Sequence, residues 1–488
     1  MKSILKYTVL CAAFFVLMGC TKDFDEINTD PDRPSEVPLV NVLSNVEDYI
    51  ASNLYGNTFN AEIIDFAGAF AQMSVNEYTY YRIRASYDNF YWSYFYGVIS
   101  NLRYVQQQTS ANSTLHAAAT VLECHVMQLI TDVWGNVPYS ESCRLAEGIS
   151  TPAYDSQEDI YKSLIVRLKE ASLAFTDEND DLLPDDLLFH GDIDLWRRYA
   201  NALRLRMAAR VAAKDKALAS SVFEEVLGNP DLYPLPESNS HNVFYTAWST
   251  DNPEPWAYNF VGRPSDYCIS KLTVDILKSL DDPRLPVYAS PSDAFLSGDS
   301  DEPYVGGQNG LRVTPNTYFI SHIGNRFVHQ TDFGGFAPLL RSCEPYFAIS
   351  YAAALGIPTA GYTQQSAYER AVELSILENE IPADSVATYL AGGGKFDGTL
   401  EQLFTQWWLS VFKNGYEAWS LFRMSGYPTG NIVAPGSIYP GHNTPPMAYP
   451  YPSSEHDLNG ANYAIHAACE VDQLWGKQMW WDVRDTIH

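Results

Sequence analysis

Residues 115–139 read LHAAATVLECHVMQLITDVWGNVPY. Leu115, Ala119, Leu122, Val126, Leu129 and Val133 recur in alternating steps of four and three, one stripe of an α-helix. Ser113 or Thr114 can open that helix, because a hydroxyl there accepts an orphan backbone N–H. Gly135 follows the last turn and Pro138 forbids continuation. A core helix of an all-α protein is what this stretch supports by itself. The exit is more distinctive: Asp132, Trp134, Gly135, Asn136, Val137, Pro138, Tyr139.

Outward from this helix the period stays helical. Candidate helices cover 42–54, 61–74, 88–108, 114–133, 156–174, 192–213 and 216–227. The helix at 192–213 has Asp192 at its cap and a stripe of Trp196, Tyr199, Leu203, Met207 and Val211. Arg197, Arg198, Arg204 and Arg210 lie off the stripe and read as a solvated face paired with an acidic body. From 228 to 341 the helical period fades except at 269–280, and Pro, Gly, Asn, Asp and Ser mark loops with short strands. Helices resume at 344–355, 364–377, 399–412 and 415–424, followed by a Pro-rich tail.

With 46% hydrophobic and 18% charged residues, the 488-residue chain can bury a sizeable core. Its net charge of -28, without a basic patch, argues against nucleic acid as a partner. Lys2 and Lys6 precede the apolar run 7–19, which is too short to span a bilayer and reads as a secretory signal peptide. It ends in Leu17-Met18-Gly19-Cys20, similar to the bacterial lipobox, so Cys20 is the expected lipidation site. The acidic, Pro-containing stretch that follows reads as a tether. Five cysteines remain after Cys20, with no CxxC spacing, and fit buried small hydrophobes better than a metal or redox site.

Aromatics make up 14% of the chain. Most must serve the core; those outside helical stripes are candidates for binding, since each offers a flat apolar face and, in Tyr and Trp, a polar edge. Tyr78, Tyr80 and Tyr81 precede the 88–108 helix among polar residues that include Asn76. Trp248, Trp256 and Tyr258 fall in the loop-rich region, with Tyr304 and Tyr318 as outer candidates and Asp251, Asn252 and Arg263 as polar companions. The competing reading has Trp256 and Tyr258 packing their loop on the helices. No HExxH, GxSxG, Walker A or EF-hand pattern occurs, and no catalytic residue, cofactor or metal site is expected. The acidic run 177–181 lacks ordered ligand spacing and reads as a solvated loop.

Six segments, in order, resemble the SusD/RagB-like outer-membrane lipoproteins. They are the Ala-rich helix running into D-x-W-G-N-V-P-Y, WRRYANALRLRMAAR at 196–210, DDPRLPVY at 281–288, QWWLSVFKNGYEAWSLFRMSGYP at 406–428, YPYPSSEHDLNGANY at 449–463 and WWD at 480–482. The resemblance implies a tetratricopeptide-like helical scaffold with a large loop-rich insertion and a Pro-rich C-terminal wrap. It implies a signal peptide at 1–19, a lipidated tether at 20–40, and one SusD-like domain at 41–488. That domain would divide into helical repeats (41–227), a loop-rich ligand-facing region (228–341), helices (342–425) and the wrap (426–488). It further implies a lipid-anchored, non-enzymatic protein of the cell outer membrane, facing outward. Such a protein would bind an oligosaccharide and deliver it to a TonB-dependent SusC-like transporter. A RagB-type peptide ligand and a surface glycan hydrolase stand as alternatives.

Overall fold

The computed structural model describes residues 37–56, 71–72, 88–182, 184–262, 268–308, 316–328, 335–430, 446–467 and 478–484. Its first half is a run of packed helices: α1 (Leu39–Tyr49, continued by a π-helical turn at Ile50–Tyr55), α2 (Asp88–Gln108), α3 (Thr114–Trp134), α4 (Gln157–Ala174), α5 (Ile193–Val211) and α6 (Lys216–Gly228). From α2 to α6 each helix packs against the next, as helical repeats do. After the loop-rich region come α11 (Glu344–Ala354), α12 (Gln364–Glu378), α13 (Ala383–Ala391), α14 (Leu400–Ser410) and α15 (Gly415–Ser425). Helix α5 packs on α11 and joins the two halves.

Helix α3 is buried along its whole length. Ser113 Oγ accepts the His116 N–H at its start. The acidic run completes that cap: Asp181 Oδ1 accepts the Leu115 N–H at 2.8 Å, and Thr114 Oγ1 donates to Asp180 Oδ1 at 2.9 Å. The part of this run that was read as a solvated loop therefore closes the α3 N-terminus. At the other end, the polar side chains of the exit act as clasps. Asp132 Oδ1 accepts Tyr161 Oη and Trp481 Nε1, Trp134 Nε1 donates to the Pro450 carbonyl, and Asn136 Oδ1 accepts the Gln157 N–H. Tyr451 Oη donates to the Trp134 carbonyl at 2.8 Å, so the C-terminal wrap is bolted to the α3 exit.

Arg197 and Arg198, in the first turns of α5, are half-buried and pair with half-exposed Asp194, but the arginines further along the helix do not form a solvated face. Arg204, Arg206 and Arg210 are buried, each no more than 2% exposed. Arg206 pairs with Glu344 at 2.8 Å and Arg210 with Glu417 at 2.6 Å, while Arg204 meets Glu225 at 2.6 Å. From Tyr199 onward the helix is covered by α4, α6 and α11, so its off-stripe positions there are interior and must be ion-paired. The 281–288 segment is also structural. Buried Arg284 is bidentate to Asp282 (2.9 and 2.6 Å) and bonds Ser375 and Gln406.

Two further expectations change. Ala71–Gln72, placed in a 61–74 helix, is a strand, β1; it pairs antiparallel with β5 (Cys268–Ile269). The remainder of that candidate helix, through residue 70, lies outside the described residues, as does 73–74. Residues 255–262, read as loop, form helix α7 (Pro255–Gly262). Glu254 Oε2 accepts the Ala257 N–H at 2.7 Å as its cap, and Trp256 and Phe260, one turn apart, bury its inner face. Cys124, Cys268 and Cys343 are buried as expected of small hydrophobes, whereas Cys143 is exposed. Among the described residues no helix is long and apolar enough to cross a membrane.

Candidate functional site

The loop-rich region is threaded between the helical halves by short pairings. Strand β4 (Val243–Tyr245) runs antiparallel to β6 (Ala337–Leu340), with Tyr245 opposite Ala337, and Phe244 stacks on Phe336 at 4.5 Å. Residues 246–254 then loop over α1. Tyr245 Oη donates to Asp48 Oδ1 at 2.7 Å, and Asn252 Nδ2 donates to the same oxygen at 2.6 Å. The loop is tightened from within, Ser249 N–H to the Asn252 carbonyl at 2.9 Å and Asn252 N–H to Ser249 Oγ at 3.1 Å. Burial, then the bond to Asp48, push the Tyr245 phenol well above its ordinary range, so it stays a donor at neutral pH. Trp248 lies half-buried with its ring edge-on to Tyr245, centroids 4.7 Å apart. This places one indole, the Asn252 amide and the Asp48 carboxylate on one patch, with buried Tyr245 beneath it.

The far end of the loop is held by a buried ion pair. Glu254 and Lys413 meet at 3.1 Å, and the Lys413 ammonium donates to the Phe327 carbonyl at 2.9 Å. Burial lowers the Lys413 pKa, opposed by Glu254. The same ammonium sits 5.3 Å from the Trp256 ring centre. Trp256 is 1% exposed. It is a core residue, and its candidacy as a binding platform is withdrawn: one face of the indole is taken by a cation and the rest by packing.

Tyr258, two residues on, points the other way because successive helical positions turn by about 100°. It is 60% exposed and shares its face of α7 with exposed Val261. On the inner face Phe260 meets His322 edge-on at 5.9 Å, and His322 in turn lies 3.8 Å from Asp293. Asp293 begins helix α10 (Asp293–Leu296), whose Phe295 and Leu296 are exposed. Beside it, in a 3₁₀ turn at Thr317–Phe319, Tyr318 Oη donates to Asp299 Oδ2 at 2.5 Å and Phe319 is exposed. Tyr258 and Tyr318 thus stand on separate elements, joined on the inner side by the Phe260–His322–Asp293 contacts. Tyr304 is half-buried against the core, and Asp251 is exposed. Tyr78, Tyr80, Tyr81, Asn76, Arg263 and Cys20 lie outside the described residues. Asp48 and the exposed Phe295, Leu296 and Phe319 carried no sequence signal, since an acid on a helix and apolar residues in loops are unremarkable one at a time.

Residues 31–452 match the SusD-like family described as "starch-binding associating with outer membrane". The chain belongs to the SusD-like family. Its fold is that of the SusD homologues. A chitin-binding protein is 24% identical, with a TM-score of 0.80 over 92% of this chain and 100% of its own. A SusD-like protein from Bacteroides thetaiotaomicron is 22% identical, with a TM-score of 0.78 over 92% and 99%. A chitin-binding SusD homolog from Flavobacterium johnsoniae is 21% identical, with a TM-score of 0.76 over 91% and 100%. No curated protein sequence matches the chain. In this SusD-like protein the tetratricopeptide-like helices are the scaffold, and both aromatic surfaces are carried by the loop-rich region.

Proposed function

We propose that this SusD-like protein is a lipoprotein of the outer-membrane surface, anchored through Cys20, that binds a glycan without turnover. It hands the glycan to a TonB-dependent SusC-like transporter. The observation that carries the glycan reading is the Trp248 patch: an indole beside the Tyr245–Asp48–Asn252 hydrogen-bonding group. A sugar ring has apolar C–H faces and a rim of hydroxyls, and such a patch meets both. Two of the solved structures with this fold are described as chitin-binding, which supports a polysaccharide as the cargo. Exposed Tyr258, Phe295, Leu296 and Phe319, with half-buried Tyr318, offer further apolar surface in the loop-rich region.

Isothermal titration of the purified protein against chitin, starch and other oligosaccharides, with a peptide panel alongside, tests this reading. Saturable binding of a glycan with no product on prolonged incubation is the expected result. Binding of peptides alone, or release of shorter sugars, overturns it. Co-purification with the transporter from cells in mild detergent tests the partner; recovery of the protein free of any transporter counts against delivery.

A further inference from the structure

A second pocket, of about 470 Å³, lies between the end of helix α8 (Lys271–Ser279), the turn entering α14, and residues 428–429. None of its lining residues belongs to either aromatic surface. Its size is within the range of small-ligand sites. One wall is apolar, from Ile276, Leu280 and Pro428. Lys395, Asp397 and Glu401 add both signs of charge to the lining. Asp397 Oδ1 is committed to the Thr399 N–H and hydroxyl, at 2.8 and 2.7 Å. Its Oδ2 and the Lys395 ammonium have no protein partner among the described residues and face solvent at the rim.

The pocket is set before any ligand arrives. Gln406, at its floor, is nearly fully buried and held at both ends, accepting from Arg284 at 2.6 Å and donating to Tyr389 Oη at 2.8 Å. At the rim, the backbone of Gly393 presses on the end of α8; a Cβ there would lie 1.7 Å from the Leu280 carbonyl oxygen, so only glycine fits. Mixed donors and acceptors without a dominant sign do not select an ion. Apolar and polar lining in one pocket suits a ring with C–H faces and hydroxyl edges. We propose that this pocket is a second saccharide site, taking a neutral sugar ring independently of the Trp248 patch. It takes from the proposed function only the class of ligand.

The test uses the full mature protein, reductively ¹³C-methylated at lysine, with the Lys395 resonance assigned by its loss in Lys395→Arg. Glucose, N-acetylglucosamine and xylose are titrated singly. At least one is expected to shift the Lys395 resonance saturably. Thr405→Trp, which fills the pocket, should abolish the shift. Asp397→Asn and Glu401→Gln keep the shape and should weaken binding roughly tenfold, the loss of one charge-assisted hydrogen bond. Trp248→Ala should leave the shift intact. No shift with any sugar, or a shift unaltered by both the filling and the charge-neutral variants, overturns the proposal. If the glycan panel fails at Trp248 while Lys395 responds, the Trp248 patch is removed as the glycan site and this pocket stands; the converse removes the pocket alone.

Discussion

Replacing Trp248 by alanine removes the one aromatic ring of the candidate patch that the core claims only in part. A fully buried Trp removes about 150–250 Å² from water. Half of that, at ~25 cal/mol per Å², puts the ring's own packing at about 2–3 kcal/mol, an upper figure because the unfolded chain is not fully extended. In a chain of 488 residues such a loss lowers Tm by no more than a few degrees. Loss of a central stacking aromatic costs binding about 2 kcal/mol or more, or roughly thirtyfold in Kd. The two effects are therefore separable: a large fall in affinity with a small fall in Tm. Trp248→Phe sharpens the test. The indole Nε1 is shielded and has no hydrogen-bond partner among the described residues, so its removal there breaks no bond, while the ring remains. Affinity within about threefold of wild type is expected for Phe, since only part of the stacking area is lost. Calorimetric titration and thermal melting on the three proteins decide the matter. An alanine variant that binds the true glycan normally refutes the assignment of the patch, and one that melts far earlier shows a core residue.

Burial, aided by the neighbouring Asp186, raises the Glu47 carboxyl well above its ordinary range, so the native state holds a proton that the unfolded chain releases. Stability from this site is greatest below the unfolded pKa and falls as pH rises toward the folded one, by at most about 1.4 kcal/mol per pH unit. Glu47→Gln should gain on wild type between pH 5 and pH 8 in urea denaturation; parallel profiles would contradict the shared proton. Asp282→Ala strands the buried Arg284 guanidinium, and a loss of about 3–5 kcal/mol is expected; a loss under about 1 kcal/mol would mean that Ser375 and Gln406 suffice. Cys20→Ala should leave the protein unacylated and released from the membrane. Absence of acyl groups on wild-type Cys20 by mass spectrometry would remove the anchor.

The long helices were legible because their stripes are clear: α2, α3, α4 and α6 begin and end within a residue or so of the periodic segments. What periodicity cannot report is how many sides of a helix are covered. Arg204 and Arg210 sit off the stripe of α5, and nothing in that pattern distinguishes water from the carboxylates of Glu225 and Glu417, which come from other helices. Helix α7 has eight residues, too few for a period to stand out. That omission decided the fate of Trp256 and Tyr258, which share a loop on paper and opposite faces in the fold. Asp48 was beyond reach, since its meaning comes from Tyr245 and Asn252, some 200 residues away in sequence.

The clasp at the exit of α3 has a consequence for how the protein is made. Trp481 reaches Asp132 across 349 positions of sequence, and Tyr451 reaches the Trp134 carbonyl across 317. A chain synthesised from its N-terminus exposes α3 long before these partners emerge. Until then Asp132 is a carboxylate in a half-built interior without its indole donor. Final closure must await the last residues and proceeds at the pace of long-range contacts. Closure of α3 is thereby tied to completion of the chain, and a chain cut short before residue 449 would lack the wrap's contacts to the α3 exit.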